Sequence, residues 1–149
     1  MSAKIFPIAQ DAENAFYEAL ERCDLDGMMA VWAEDEDVLC VHPTGGRLTG
    51  QDQVRESWAQ MFAAGPRARL QVGQQVAIAG MMLAVHSVFE NFSLEGAAPG
   101  DARPAPIVAT NVYLRTAAGW RMIVHHASPT PAQAEAPAPQ RKGPPKTLH

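Results

Sequence analysis

The sequence predicts an α+β domain in which helices come first and a mostly antiparallel sheet follows. Apolar residues recur at the three- and four-residue spacing of helices over residues 10–23, 24–32 and 50–63. β-Formers recur at two-residue spacing over residues 69–128, with turn residues between the predicted strands. Because the helices cluster near the N-terminus, this order favours an α+β fold over the regular alternation of an α/β fold.

Three helices are predicted. The first spans Gln10–Cys23, and its charged residues, Glu13 among them, fall mainly outside its apolar face. The second follows Asp24, whose carboxylate is a good N-cap. The third spans Gly50–Ala63 and ends before Gly65-Pro66.

The strands are a short pair and a four-stranded meander. In the fourth strand, His86 and Glu90 share one face with Ala84 and Val88, whereas Leu83, Val85 and Phe89 share the other. The predicted strands are Val38–His42, Arg47–Thr49, Arg69–Ile78, Met81–Leu94, Ile107–Thr116 and Trp120–Ser128.

The last two strands form a hairpin that ends in paired histidines. Gly119 can take the positive φ that the connecting turn requires. Strict alternation places His126 on the same face as Trp120, in a core or pocket. His125 is then expected on the opposite face, in solvent or in a dimer contact.

Composition and length limit the organisation of the chain. A sequence of 149 residues favours one domain, which we place at residues 9–129 after an N-terminal extension at 1–8. Residues 130–149 are rich in proline and alanine and lack the apolar side chains that would offset ordering entropy. This segment is predicted to be a disordered tail.

Charge and hydropathy limit the partners. The net charge of −4 argues against a dedicated nucleic-acid binder. No apolar run approaches the about 20 residues that span a membrane, and the N-terminus lacks an apolar signal region. We therefore expect a cytoplasmic protein with no membrane contact. Cys23 and Cys40 do not form a CxxC pair and are expected as reduced thiols.

Three segments resemble the NTF2-like superfamily, and within it the SnoaL-like group: DLDGMMAVWAED from Asp24, VHPTGG-x-LTG from Val41, and GWR-x-IVHH from Gly119. The resemblance implies a cone, in which a strongly curved sheet wraps the N-terminal helices in its concave face. It also implies a pocket between sheet and helices, and a homodimer through the outer sheet face. Because this fold serves many reactions, the function must be argued from the site.

The resemblance to the ketosteroid-isomerase branch supplies site positions. The general-base aspartate of that branch falls on His42, its protonated oxyanion-hole aspartate near Asn111, and its oxyanion-hole tyrosine on Phe16. His42 could act as acid or base near neutral pH, and Asn111 could donate an amide N–H to a developing oxyanion. Phe16 lacks the hydroxyl donor, and Tyr17 points about 100° around the helix, away from the same spot.

The remaining pocket residues are expected to bind a small apolar ligand. Glu90 is a reserve acid/base group if its strand face turns inward. The expected ligand-binding residues are Phe16, Trp32, Trp58, Phe62, Glu90, Tyr113 and His126. Structural roles compete with these roles: the tryptophans fit core packing, His42 fits a loop cap, and Asn111 fits a bulge.

The sequence leaves two functions open. One is an isomerase, cyclase or hydro-lyase acting on a small apolar carbonyl compound, with His42 and Asn111 catalytic. The other is a non-catalytic ligand-binding or dimerisation module, which the missing hydroxyl at Phe16 favours. The histidine spacing matches no metal motif and no nucleotide fingerprint is present, so neither a metal nor a cofactor is predicted.

Overall fold

The computed structural model describes residues 4–34, 37–65, 67–94, 96, 98, 100 and 104–131. The predicted disordered tail therefore lies outside the described residues, apart from Thr130 and Pro131.

The three predicted helices are confirmed, with ends that differ by one or two residues. They are α1 (Ala9–Arg22), α2 (Leu25–Val31) and α3 (Gln51–Ala64). The Asp24 side chain accepts a hydrogen bond from the Gly27 N–H at 3.0 Å, as expected of an N-cap. Between α1 and α2, Cys23 adopts a left-handed backbone conformation with a φ of 55°. This conformation ends α1 and lets the chain turn into α2.

The strands form one sheet in the order β2-β1-β6-β5-β4-β3. Every neighbouring pair is antiparallel except β1 with β6, which is parallel. The strands are β1 (Leu39–Val41), β2 (Arg47–Thr49), β3 (Ala68–Ala79), β4 (Leu83–Leu94), β5 (Ile107–Thr116) and β6 (Gly119–Pro129).

Two bulges bend this sheet. In β3, Gln74 and Gln75 lie between Gly73 and Val76, opposite a single residue of β4, and Gln74 has a positive φ of 52°. In β6, the register shifts between the pairs Val112↔Val124 and Tyr113↔Met122, so that Ile123 has no partner. Bulges increase local twist and bend the strand. The bent sheet curls around α1 and confirms the predicted α+β cone.

The core lies between the concave face of the sheet and the helices. Phe16 is fully buried at the centre of the core. Its ring centroid lies 6.5 Å from that of Trp32 and 5.7 Å from that of Trp58. The segment before α1 also packs on the sheet, because Phe6 pairs with Gly119. A Cβ at residue 119 would lie 2.9 Å from the Phe6 carbonyl oxygen, so this close approach requires glycine.

Candidate functional site

A network of polar side chains is buried where the concave face meets α1, and it is named the inner network below. Each member is at most 7% exposed. Alternation places the strand residues on the inner face of the sheet, and the four-residue spacing of Glu13 and Tyr17 places both on the face of α1 that packs against it. The members are Glu13 and Tyr17 of α1, His86 and Glu90 of β4, Asn111 and Tyr113 of β5, and His125 of β6.

Glu13 is the hub of the inner network. Its Oε2 accepts hydrogen bonds from the Tyr113 hydroxyl at 2.7 Å, from His86 Nδ1 at 3.0 Å and from Asn111 Nδ2 at 3.3 Å. Its Oε1 accepts a hydrogen bond from Gln75 Nε2 at 2.6 Å. These donors satisfy a carboxylate that would be costly to bury without partners.

Glu90 is the second buried carboxyl group of the network. The Tyr17 hydroxyl donates to its Oε2 at 2.7 Å, and His125 Nε2 lies 4.0 Å from the same oxygen. Burial raises the pKa of Glu90 to about 7; the bond from Tyr17 opposes this rise and the nearby Glu13 charge adds to it. Glu90 can therefore gain and lose a proton near neutral pH. Burial also raises the pKa of Tyr17, which keeps its phenol protonated.

His125 and Asn111 complete the network around Glu90. Burial, and to a lesser degree the charges of His42 and His126, lower the pKa of His125 to about 3. This imidazole is therefore neutral near pH 7. His125 Nδ1 lies 2.6 Å from Asn111 Oδ1, and Asn111 Nδ2 donates to the Tyr17 hydroxyl at 2.9 Å.

A groove of about 510 Å³ between α1 and β3 reaches the network from the surface. Glu13 and Tyr17 line it, and Glu18 and Glu21 lie along the same groove. Gln75, carried by the β3 bulge, bonds to Glu13 from this side. Tyr17 therefore links the groove to Glu90, which does not itself line it.

His42 occupies a different place from the inner network. Its Nε2 lies 2.6 Å from Ser57 Oγ, and it lines a second groove of about 510 Å³ between the β1–β2 turn and α3. Burial lowers its pKa. The Trp58 ring contacts both His42, at 4.7 Å, and His125, at 6.0 Å between ring centroids. Trp58 and His125 thus lie between His42 and Asn111. The two predicted catalytic residues do not form one site.

The predicted aromatic pocket residues are packed together rather than arranged around an open space. Phe16, Trp32, Trp58 and Tyr113 are at most 1% exposed, and Phe62 packs on Trp58 with ring centroids 5.7 Å apart. The indole N–H groups of Trp32 and Trp58 have no hydrogen-bond partner among the described residues. Tyr113 also belongs to the inner network through its bond to Glu13.

The orientation predicted for the paired histidines is wrong. His125 is 2% exposed and lies in the network, whereas His126 is exposed and pairs with Thr110 on the outer face. Because the β6 bulge at Ile123 inserts one unpaired residue, Met122 and His125 face inward although they are three positions apart. His126 therefore cannot line the interior.

Four network members are absent from the predicted site residues: Glu13, Tyr17, His86 and His125. Glu13 was placed outside the apolar face of α1 and is 2% exposed. Tyr17 was not expected to reach the oxyanion position and contacts both Glu90 and Asn111. The available signal was spacing, because these two residues are four apart on α1 and match a histidine and a glutamate four apart on β4.

The curled sheet around α1, with the inner network buried between them, is the cone expected of the NTF2-like superfamily. A family model for the SnoaL-like domain matches residues 10–133, and the chain therefore belongs to that family. No curated protein matches the sequence.

Solved structures show the same architecture. A candidate calcium/calmodulin-dependent protein kinase type II association domain from Thiobacillus denitrificans is 43% identical, covers 86% of this chain and 99% of its own, and has a TM-score of 0.78. A candidate dehydratase of the NTF2-like family from Streptomyces avermitilis is 32% identical over 81% of this chain and 92% of its own, with a TM-score of 0.71. A candidate ketosteroid isomerase from Parabacteroides distasonis, 21% identical over 83% of this chain and 88% of its own with a TM-score of 0.66, is similar in fold alone.

Two kinds of feature are absent from the described part of the chain. Its His, Cys, Asp and Glu side chains form no group of three or more that could hold a metal ion. Its helices include none that is long and apolar enough to cross a membrane.

Proposed function

We propose that this protein is an acid/base enzyme of the isomerase or hydro-lyase class, acting on a small carbonyl compound, in which Glu90 transfers the proton. The observation that carries the proposal is a buried carboxyl group with a pKa of about 7, bonded to a tyrosine that lines a groove. A general base works best when its pKa lies near the operating pH.

The geometry supports specific roles for two side chains. Tyr17 lines the groove and keeps its phenol proton, which it donates to Glu90 in the free protein. A substrate carbonyl oxygen that takes over this hydrogen bond is polarised, and Glu90 Oε2 is left free to accept a proton. Ionised Glu90 would remove the proton on the carbon next to that carbonyl. Return of the proton to another carbon would isomerise the substrate, and its delivery to a β-hydroxyl leaving group would release water.

Asn111 takes an indirect role in this proposal. Its Nδ2 donates to Tyr17 and Glu13, and Asn111 is fully buried and does not line the groove. The direct donor to the substrate is then Tyr17, which does line the groove. His42 remains a second possible base, in the other groove with Ser57.

Hydrogen–deuterium exchange tests the proposal without knowledge of the final product. Removal of a proton next to a carbonyl exchanges that hydrogen in D₂O, and NMR detects the loss of its signal. The compounds to test are small ketones, β,γ-unsaturated ketones and β-hydroxy carbonyl compounds. We expect the protein to catalyse this hydrogen exchange in at least one of them. Glu90→Gln should slow the exchange at least about 100-fold, as expected for loss of a general base.

His42→Ala is the matched variant in the same assay. Retained exchange in His42→Ala with loss in Glu90→Gln supports Glu90 as the base. The reverse result would move the reaction to the second groove. Exchange that neither variant slows would overturn the enzyme proposal.

A second candidate function is assembly through the outer sheet face, and the apolar character of that face favours it. Val85, Val112 and Val124 form one cross-strand row, and exposed Ile78 extends it onto β3. Phe89 and Val108 pair in another outer row. The polar row of Ser87, Thr110 and His126 lies between these two rows. Partly exposed apolar rows on one sheet face favour an interface. We propose a homodimer through this face, and the name of the relative from Thiobacillus denitrificans, an association domain, supports an assembly role.

A further inference from the structure

We propose that Asn111 is a positioning residue that locks His125 in the tautomer with its proton on Nδ1, so that the bare Nε2 faces Glu90. The tautomer follows from the hydrogen bonds alone. Its consequence for catalysis rests on the proposed function of Glu90.

The orientation of the Asn111 amide is decided by two acceptors. The Tyr17 hydroxyl gives its one hydrogen to Glu90 Oε2, so it can only accept from Asn111. Glu13 Oε2 already accepts from Tyr113 and lies 3.3 Å from the same amide nitrogen. The NH₂ group must therefore face α1, and the amide oxygen must face β6.

The amide oxygen then decides the histidine tautomer. Asn111 Oδ1 has no hydrogen, so the 2.6 Å contact requires a hydrogen on His125 Nδ1. A neutral imidazole carries one ring N–H. Nε2 is consequently unprotonated, and it is the nitrogen that lies 4.0 Å from Glu90 Oε2.

This tautomer affects the protonation of Glu90. Nε2 lies 4.0 Å from Glu90 Oε2, too far for a hydrogen bond, so the tautomer acts on Glu90 through the local electrostatic field. The lone pair of a bare Nε2 places partial negative charge opposite the carboxyl group and favours its protonated state. With the opposite tautomer, the positive end of Nε2–H would face the carboxylate and favour ionisation. Asn111, which does not line the groove, thus acts on Glu90 through His125 as well as through its bond to Tyr17.

¹⁵N NMR of the histidine rings in the full chain distinguishes the tautomers, since protonated and bare ring nitrogens have well-separated shifts. His125→Gln and His126→Gln assign the signals, and exposed His126 serves as the internal comparison. We expect protonated Nδ1 and bare Nε2 at His125. Asn111→Ala should lose this signature, and Asn111→Asp, which keeps an acceptor at Oδ1, should preserve it.

Glu90 provides a second readout through ¹³C NMR titration of its carboxyl carbon. Its midpoint should move to lower pH in Asn111→Ala, since Nε2–H can then face the carboxylate. A wild-type His125 with its proton on Nε2 overturns the proposal, and this holds even if the alanine variant does not fold. A folded Asn111→Ala protein with an unchanged His125 signature overturns it as well. Neither measurement involves turnover, so loss of the enzyme proposal would leave the tautomer result intact, and the reverse also holds.

Discussion

The two faces of strands β4–β6 carry different kinds of side chain. The inner face, against α1, carries ionisable and amide side chains, among them Glu90, Asn111 and His125, all at most 2% exposed. The outer face carries apolar rows such as Val85 and Val112, which stay partly exposed. Soluble sheets usually bury the apolar face and solvate the polar one. Here the buried face holds a polar network among apolar neighbours such as Val88 and Met122, and the outer face keeps apolar rows.

The two faces also depend on different partners for their stability. The inner face is stable because α1 supplies Glu13 and Tyr17 as matching acceptors, and such networks are costly when only partly satisfied. The apolar rows of the outer face are partly exposed, and the proposed homodimer would cover them. The following substitutions separate these two dependences.

Glu13→Leu should cause the largest loss. Four side-chain donors, three in the inner network and one on Gln75, lose the acceptor that they share. We expect the free energy of unfolding to fall by roughly 3–5 kcal/mol in urea denaturation. Glu18→Leu is the control on the same helix, because Glu18 is exposed and forms only a surface pair with Arg22. Equal losses in both variants would show that the network does not stabilise the fold.

Glu90→Gln should change the pH dependence of stability. The pKa of Glu90 rises from 4.5 to about 7 on folding, so its contribution is fully present below pH 4.5 and is lost as the pH rises through 7. The wild type should therefore lose roughly 3 kcal/mol between pH 4.5 and about pH 8 relative to the variant. His125 titrates in both proteins, so its opposite effect cancels in the difference. If the melting temperatures of wild type and variant change in parallel across this pH range, the raised pKa of Glu90 is contradicted.

Val112→Lys should break the outer face without disturbing the inner one. A lysine in the central apolar row should weaken association at least about tenfold, or about 1.4 kcal/mol. Analytical ultracentrifugation measures this change. Met61→Lys is the control, because Met61 is 41% exposed but lies on α3, away from the sheet. A wild type that sediments as a monomer at high concentration would remove the homodimer proposal.

Thr110→Val should have the smallest effect. Thr110 is exposed on the outer face, between Ser87 and His126, one position before buried Asn111. We expect the free energy of unfolding to change by less than about 0.5 kcal/mol in chemical denaturation. The same replacement at Asn111 removes bonds to Glu13, Tyr17 and His125 and should cost several times more. Similar effects at the two positions would mean that the faces are not energetically distinct.

Local sequence was sufficient for the elements and for most of the faces. Helical spacing located α1–α3, alternation located the strands, and Asp24 and Gly119 marked a helix start and a turn. These signals are local, because capping, positive φ and side-chain periodicity depend on a few neighbouring residues. The face shared by His86 and Glu90 was also readable, since β4 keeps its alternation through residue 90.

Only the tertiary structure decided which polar groups meet. One unpaired residue at Ile123 reversed the orientation of His125 and His126, and alternation carries no mark of where such an insertion falls. Glu13 became a buried hub because donors from β3, β4 and β5, 62 to 100 residues away in sequence, converge on it. Helix spacing can say that Glu13 and Tyr17 share a face. Whether that face meets solvent or a set of complementary donors depends on how the sheet curls around α1.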